Sequence, residues 1–536
     1  RLLPVYRSIK GLKSSVVRKI LAELRPLITM LPETLPRNIV QEESLLSRSE
    51  AMLAMHFPSI DDDITKARER LAFEELFQLL LASQFNRQEN AKLTAWHIAF
   101  NQSVIANFVK QLPFDLTNSQ RIASWEIIQD FESNTPMNRL LQGDVGSGKT
   151  VVAGIAARQV SQANFQTAFM APTEILANQH AETLAKLLSP FDIRVALLSS
   201  SVKGQSRKTL YEQIANGSVD VVVGTHALIQ QKLNFHNLGF VVIDEQHRFG
   251  VSQRQELLKK SDRMPHLLAM TATPIPRSLA LTVYGELDIS ILNELPKGRR
   301  PIKTKIISPN SLAQLYVLVD KELQSGRQAY VICSLIDDNP DNDIKSVQSE
   351  YKKLQNSIFK HRRIGLLHGK LKSEEKKAVM DRFSSGELDI LVSTTVVEVG
   401  VDVPNASVIL IENADRFGLS QLHQLRGRVG RSSQQSYCYL IMSSSNKPSM
   451  RLREIEKSND GFYLAEVDLN LRGPGEIYGN MQHGALNLQI ANLGDSKLIA
   501  RAQRQARQFV QNGVSLIQYK ELNQQVTKYQ RLTTLN

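Results

Sequence analysis

A chain of 536 residues is too long for one hydrophobic core, so ~3–4 domains are expected. Its 42% hydrophobic and 22% charged residues exclude a disordered or fibrous chain, and no apolar run approaches the ~18 residues of a membrane-spanning helix. The net charge of +12 is compatible with a polyanionic partner but does not require one.

Residues 1–110 read as helical and irregular. Apolar residues at helical spacing run through 71–84, with Leu76, Leu79 and Leu80 on one stripe. Asp61, Asp62 and Asp63 just upstream favour a helix start. No catalytic grouping is visible there, so a connector or packing platform is expected. The chain opens on Arg1 rather than Met and shows no signal peptide, which points to a further segment before it.

From about residue 112, short β-type runs alternate with helical ones. Residues 137–142, 166–171, 219–224, 240–244 and 266–270 read as strands, and such alternation implies a parallel sheet covered by helices. Asn-Glu-Leu-Pro-Lys-Gly-Arg-Arg-Pro at 293–301 reads as a linker. A second series follows at 303–308, 328–334, 363–368, 389–394, 407–412 and 436–442. Cys333 and Cys438 lie inside such apolar runs and read as buried small hydrophobes in a reducing compartment. Beyond about residue 443 the pattern is polar and helical. The expected fold class is therefore α/β. Two tandem parallel-sheet lobes (111–296 and 297–446) follow a helical region (1–110) and precede a mainly helical one (447–536).

The stretch that organises this chain is Gly143-Asp144-Val145-Gly146-Ser147-Gly148-Lys149-Thr150, a G-x-x-x-x-G-K-[ST] phosphate loop between a strand-like and a helix-like run. Its glycines let backbone N–H groups approach a polyphosphate, Lys149 supplies a mobile charge for the β and γ phosphates, and Thr150 offers a hydroxyl to Mg²⁺. Asp244 and Glu245 close an apolar strand about a hundred residues downstream. Asp244 is expected to hold Mg²⁺ and Glu245 to orient the attacking water. Gln120, upstream of the loop, is a candidate adenine ligand, and Phe114 nearby reads more readily as core than as an adenine-stacking ring.

Hydroxyl residues recur just after predicted strands: Thr173, Thr225, Thr271, Thr273, Thr394 and Thr395. In an open α/β sheet these ends line the ligand crevice and suit contacts to a nucleic-acid backbone, and the Thr271 and Thr273 hydroxyls are read as a relay from the γ-phosphate site. Gly400 and Asp402 are placed to approach the nucleotide. Gln424-Leu-Arg-Gly-Arg-Val-Gly-Arg431 is too basic and glycine-rich for a core. Arg428 and Arg431 are expected to reach the γ-phosphate across the cleft as arginine fingers, with Gln424 beside them.

The succession 143–150, 171–174, 224–226, 244–247, 271–273, 394–402 and 424–431 resembles the superfamily 2 helicases. Within them it is most similar to the RecG family. The words that carry this are Gly-Asp-Val-Gly-Ser-Gly-Lys-Thr, Asp-Glu-Gln-His-Arg-Phe-Gly at 244–250, Thr-Ala-Thr-Pro-Ile-Pro-Arg at 271–277 and Leu-Arg-Gly-Pro-Gly-Glu at 471–476. The resemblance implies RecA-like lobes, ATP and Mg²⁺ as cofactors, and translocation on duplex and branched DNA such as forks and Holliday junctions. It also implies a monomer in the bacterial cytoplasm and single-stranded-DNA-binding protein as a partner. Arg472 and Gln482 fall in the family's helical hairpin and become candidate coupling residues. The family's N-terminal wedge, an OB-like barrel, has no counterpart in residues 1–110. Two other readings are a transcription-coupling translocase, which usually has Asp-Glu-Glu-His where this chain has Asp-Glu-Gln-His, and a nucleotide-gated adaptor without turnover.

Overall fold

The computed structural model describes residues 4–6, 13–199, 202–274, 276, 287–296, 298–333, 340–394, 403–432, 434–444, 447–472 and 488–533. Thr395, Gly400, Asp402 and Gln482 lie outside these residues, as does the side chain of Arg472. The chain divides into two compact units: Leu93–Ile275 with Asp288–Asp468, and Arg1–Lys92 with Pro276–Leu287 and Leu469–Asn536.

The first of these units holds two all-parallel sheets. Strands β1 (Asn138–Gly143), β2 (Gln166–Met170), β3 (Val195–Leu198), β4 (Val221–Gly224), β5 (Leu238–Ile243), β6 (His266–Thr271) and β7 (Asp288–Leu292) form the first, in the order β3-β4-β2-β5-β6-β1-β7. Strands β8 (Lys303–Ile307), β9 (Gln328–Ile332), β10 (Ile364–Leu367), β11 (Ile390–Ser393), β12 (Ala406–Ile411) and β13 (Tyr437–Ile441) form the second, in the order β10-β11-β9-β12-β13-β8.

The unbroken apolar runs of the central strands follow from burial on both faces. In β5, Phe240 and Val242 enter the core on one side of the sheet while Val241 and Ile243 enter the core on the other. In β9, Tyr330 and Ile332 are likewise separated from Ala329 and Val331. This two-residue alternation is the pleat itself. Both cysteines are buried, as their apolar setting implied. Because all strands run parallel, every strand-end loop that carries a motif within one sheet emerges on the same edge.

The edge strands β3 and β7 were not expected from the sequence. Each buries only part of its length, so neither shows a continuous apolar run. The strand β7 nevertheless matters for the site. Its pairing with β1 sets Leu292 beside Gly143, so the segment leaving the first lobe starts at the mouth of the phosphate loop.

In the second unit the helix Asp61–Asn90 is the centrepiece, extending the expected 71–84 stripe in both directions. Asp63 caps its start by accepting from the N–H groups of Ser59 and Ile60, at 3.0 and 3.1 Å. It packs against the helices Ser496–Gln511 and Lys520–Thr533 of the C-terminal region. Phe77 meets Phe509 edge-on at 6.2 Å, and Glu43 accepts from Arg501 and Arg504 at 2.7 and 2.8 Å. Glu75 accepts the N–H groups of Gln489, Ile490 and Ala491. Within this unit, residues of the 1–92 segment thus pack against residues more than 400 positions away in sequence, while Ile98 and Phe108 belong to the core of the first sheet.

Candidate nucleotide site

The strand β1 ends at Gly143 and the helix Lys149–Gln162 begins at Lys149, so Asp144–Gly148 form a loop between a buried strand and a helix N-terminus. Gly146 and Gly148 have φ of 75° and 89°, a left-handed conformation that side-chain-bearing residues rarely adopt. The Lys149 ammonium folds back over the loop and donates to the carbonyls of Gly143 and Asp144, at 2.7 and 3.0 Å. Burial lowers its pKa, and the carboxylates of Glu245, Asp244 and Asp144 oppose that shift.

Gln120 lies on the helix Asn118–Phe131 and serves the loop directly. Its Nε2 donates to the Ser147 carbonyl at 2.7 Å, while its Oε1 accepts from the Thr117 N–H at 3.0 Å and closes a capping box. Phe114 is 45% exposed, so it is not the core residue that its type suggested.

Asp244 and Glu245 follow β5. Burial works to raise the Asp244 carboxyl, but the hydrogen bond and charge of His180, helped by Lys149, hold it below the usual carboxylate range. Glu245 adopts the left-handed region, with φ of 48°, a costly conformation for a residue bearing a Cβ. That conformation turns the acid back toward β6, where it accepts from the Ala272 N–H at 3.3 Å. Burial and then the Asp244 charge push its pKa up to about 7, against the pull of Lys149, Ala272 and Arg428.

His180 was not singled out in the sequence, and it joins the two expected Mg²⁺ ligands. Its Nδ1 lies 3.3 Å from Thr150 Oγ1 and its Nε2 2.7 Å from Asp244 Oδ2. The hydroxyl and the carboxylate are thus linked through the two nitrogens of one imidazole. That oxygen pair fits Mg²⁺, which takes one or two protein ligands and fills the rest of its shell with water and phosphate oxygens. Among the described residues no group of three or more His, Cys, Asp or Glu could hold a metal unaided.

The second lobe closes the site from the opposite side. The helix Leu419–Arg426 presents His423, whose Nε2 is 2.8 Å from Asp144 Oδ1. That contact, with the Val145 N–H and Lys149, keeps the Asp144 carboxyl below its ordinary range although burial works to raise it. Asp144 therefore faces the second lobe as well as the nucleotide locus. A Cβ placed on Gly427 would stand 2.9 Å from Val145 Cβ, so the arginine-rich turn packs directly onto the loop. The charge of Arg428 reaches Glu245 and that of Arg431 reaches Lys149. Gln424, on the same helix, is partly exposed. Arg426 is the structural member of the group. Fully buried, it donates to the Ile455 and Ser458 carbonyls at 2.8 and 2.7 Å and bonds His423 Nδ1 at 2.8 Å.

The expected DNA-facing hydroxyls divide. Thr271 and Thr394 are buried, and the Thr271 hydroxyl is 2.7 Å from that of Thr273. In this structure their side chains are turned inward, away from solvent. Thr173, Thr225 and Thr273 remain partly open at the strand ends, although Thr173 also caps the helix Glu174–Leu188 through the Leu176 N–H.

Comparison with known proteins agrees with this geometry. A sequence model of DEAD/DEAH box helicases matches residues 120–282, one of the helicase conserved C-terminal domain matches 310–433, and one of "ATP-dependent DNA helicase RecG, domain 3, C-terminal" matches 458–535. The ATP-dependent DNA helicase RecG of Staphylococcus aureus is 46% identical over 96% of this chain and 75% of its own length. The chain belongs to the RecG family. The RecG of Thermotoga maritima is also 46% identical, over 96% of this chain and 66% of its own length, and that of Synechocystis over 94% and 61%. The chain thus spans about two thirds or less of the length of these last two RecG relatives. A solved RecG bound to a three-way DNA junction superimposes with a TM-score of 0.77 at 46% identity, covering 93% of this chain and 66% of that one. The DNA-bound helicase MrfA, 16% identical with a TM-score of 0.51, shares the fold.

Proposed function

We propose that this chain is the motor of an ATP-dependent DNA helicase and translocase that acts on branched DNA, regressing stalled forks and migrating Holliday junctions in recombination and repair. The observation that carries the reading is the convergence of both lobes on one phosphate loop. Lys149, Asp244 and Glu245 come from the first lobe, and Arg428 and Arg431 from the second. Such a site is complete only when the lobes approach, so nucleotide occupancy and lobe position are linked. The branched substrate is supported by the related RecG solved on a three-way junction and by the net charge of +12. A monomer in the bacterial cytoplasm, with single-stranded-DNA-binding protein as a partner, belongs to the same reading and rests on the family.

The chain's own residues divide the work. Loop N–H groups and Lys149 bind the β and γ phosphates. Thr150 and Asp244 would hold Mg²⁺, which when bound neutralises phosphate charge. Glu245 orients a water toward the terminal phosphate, and the two arginines meet the charge that develops there. Residues 458–472 lead from the second lobe toward the family's coupling hairpin, where Arg472 and Gln482 are candidates for passing lobe movement to DNA.

Glu245→Gln is expected to bind ATP like the parent chain while hydrolysis stalls, because the carboxylate handles water rather than phosphate. Equilibrium nucleotide binding and single-turnover hydrolysis measured on the same variant check this. Loss of binding would reverse the roles given to Asp244 and Glu245.

The function as a whole is tested by ATP turnover with and without a three-way junction, alongside junction binding across salt concentrations. Turnover is expected to rise on adding the junction. Binding is expected to weaken steeply with salt, log K falling by ~0.9 per neutralised phosphate for each unit of log salt. Turnover indifferent to DNA, or binding flat across salt, would contradict a DNA motor.

A further inference from the structure

We infer that Arg299, in the linker between the two lobes, is a ligand of the nucleotide's phosphates, so that the linker itself senses what the phosphate loop holds. This rests on the nucleotide site proposed above and adds a residue from the segment that joins the two sheets. The linker leaves β7 at Leu292 beside Gly143 and enters the second sheet at Lys303. Along this path Arg299 turns back onto the loop. Its Cζ and Nη2 lie 2.9 Å from where a Cβ on Gly146 would stand, and Nη1 intrudes further still. The space above Gly146 is therefore filled by a guanidinium. The positive φ of Gly146 is what calls for glycine there, and the missing Cβ leaves the guanidinium room to lie over the loop.

The linker is fastened to the nucleotide machinery on both sides of Arg299. Upstream, Glu294 accepts from the Asn118 N–H at 3.1 Å, at the start of the helix whose Gln120 holds Ser147. Downstream, Ile302 packs on Gly430, where a Cβ would meet its Cγ1 at 2.8 Å, immediately before Arg431. Gln435 donates to the Pro301 carbonyl at 2.9 Å. Arg299 thus sits on a short strap running from the helix that supports the loop to the turn that carries the second-lobe arginine. Its planar fork suits two phosphate oxygens at once, and the glycine-rich turn ahead of a helix N-terminus is where such a fork is useful. The neighbouring Arg300 is exposed and supplies an internal control.

The experiment measures equilibrium binding of a fluorescent non-hydrolysable ATP analogue and of fluorescent ADP to the whole chain and to Arg299→Gln, Arg299→Lys and Arg300→Gln. Arg299→Gln is expected to bind the triphosphate about 10- to 100-fold more weakly, the range for losing hydrogen bonds to a charged group. The loss for ADP should be smaller, Arg299→Lys should recover part of the affinity, and Arg300→Gln should match the parent. Unchanged triphosphate affinity in Arg299→Gln would overturn the assignment, as would equal loss for both nucleotides together with a lowered melting temperature, which marks a purely structural arginine. Failure of the parent chain itself to bind either nucleotide would instead overturn the proposed site, and Arg299's role with it.

Discussion

Lys149→Ala is expected to abolish ATP turnover in a protein that remains folded. The ammonium is the mobile cation of the loop, and in the structure it rests on the Gly143 and Asp144 carbonyls, the place from which it would swing to the β and γ phosphates. It is also set among three carboxylates, those of Glu245, Asp244 and Asp144. Removing it leaves that negative cluster without its central cation, so the site would repel a triphosphate as well as fail to clamp it. Both binding and turnover should therefore fall, unlike Glu245→Gln, where binding survives. The fold should persist because the helix Lys149–Gln162 is held by apolar residues such as Val152, Ile155 and Val160, which lie in the core of the first sheet. Circular dichroism, nucleotide binding and turnover on one preparation check all three parts. Near-normal turnover in a folded Lys149→Ala chain would remove the nucleotide site from residues 143–150.

What could be read from the sequence follows from what burial does to it. Central strands are apolar throughout because both faces are covered, so β1, β2, β4, β5 and β6 stood out, while the edge strands β3 and β7 have partly open faces and blend into their surroundings. The phosphate loop, Asp244–Glu245 and the arginine-rich turn were legible because each concentrates unusual chemistry within a few residues. His180 and His423 were not legible. Each is a lone histidine on a helix, and only the fold brings one between Thr150 and Asp244 and the other onto Asp144. Arg299 was hidden for a related reason, since Lys-Gly-Arg-Arg reads as a solvated linker until β7 is seen to end beside the loop. The packing of helix Asp61–Asn90 against the C-terminal helices is a pairing over more than 400 residues, which no local pattern announces. Phe114 shows the converse error, a ring type read as core that the fold leaves open.

Arg431→Ala is expected to cripple hydrolysis while leaving nucleotide affinity within a few-fold of the parent. The turn that carries it packs on the loop through Gly427 and Val145, so the backbone that positions the arginine does not depend on its side chain. Its guanidinium Nε donates to the Gly427 carbonyl at 3.3 Å, which aims the fork, and its charge already reaches Lys149. A group placed this way acts most strongly where charge builds on the terminal phosphate during transfer, and less on the ground state already held by the loop. Arginine fingers in phosphoryl-transfer systems contribute ~10³–10⁵ in rate, or about 4–7 kcal/mol of barrier. Lysine should not restore the rate, because an ammonium lacks the planar fork that spans two oxygens. Arg428→Ala should fall in the same direction with an added effect on the water-orienting acid, since Arg428 is the second-lobe charge that reaches Glu245. The measurement is single-turnover hydrolysis of prebound ATP for Arg431→Ala and Arg431→Lys, beside equilibrium affinity for a non-hydrolysable analogue. If affinity and rate fall in equal proportion, Arg431 binds ground-state nucleotide as one more phosphate ligand, and the transition-state role passes to Arg428.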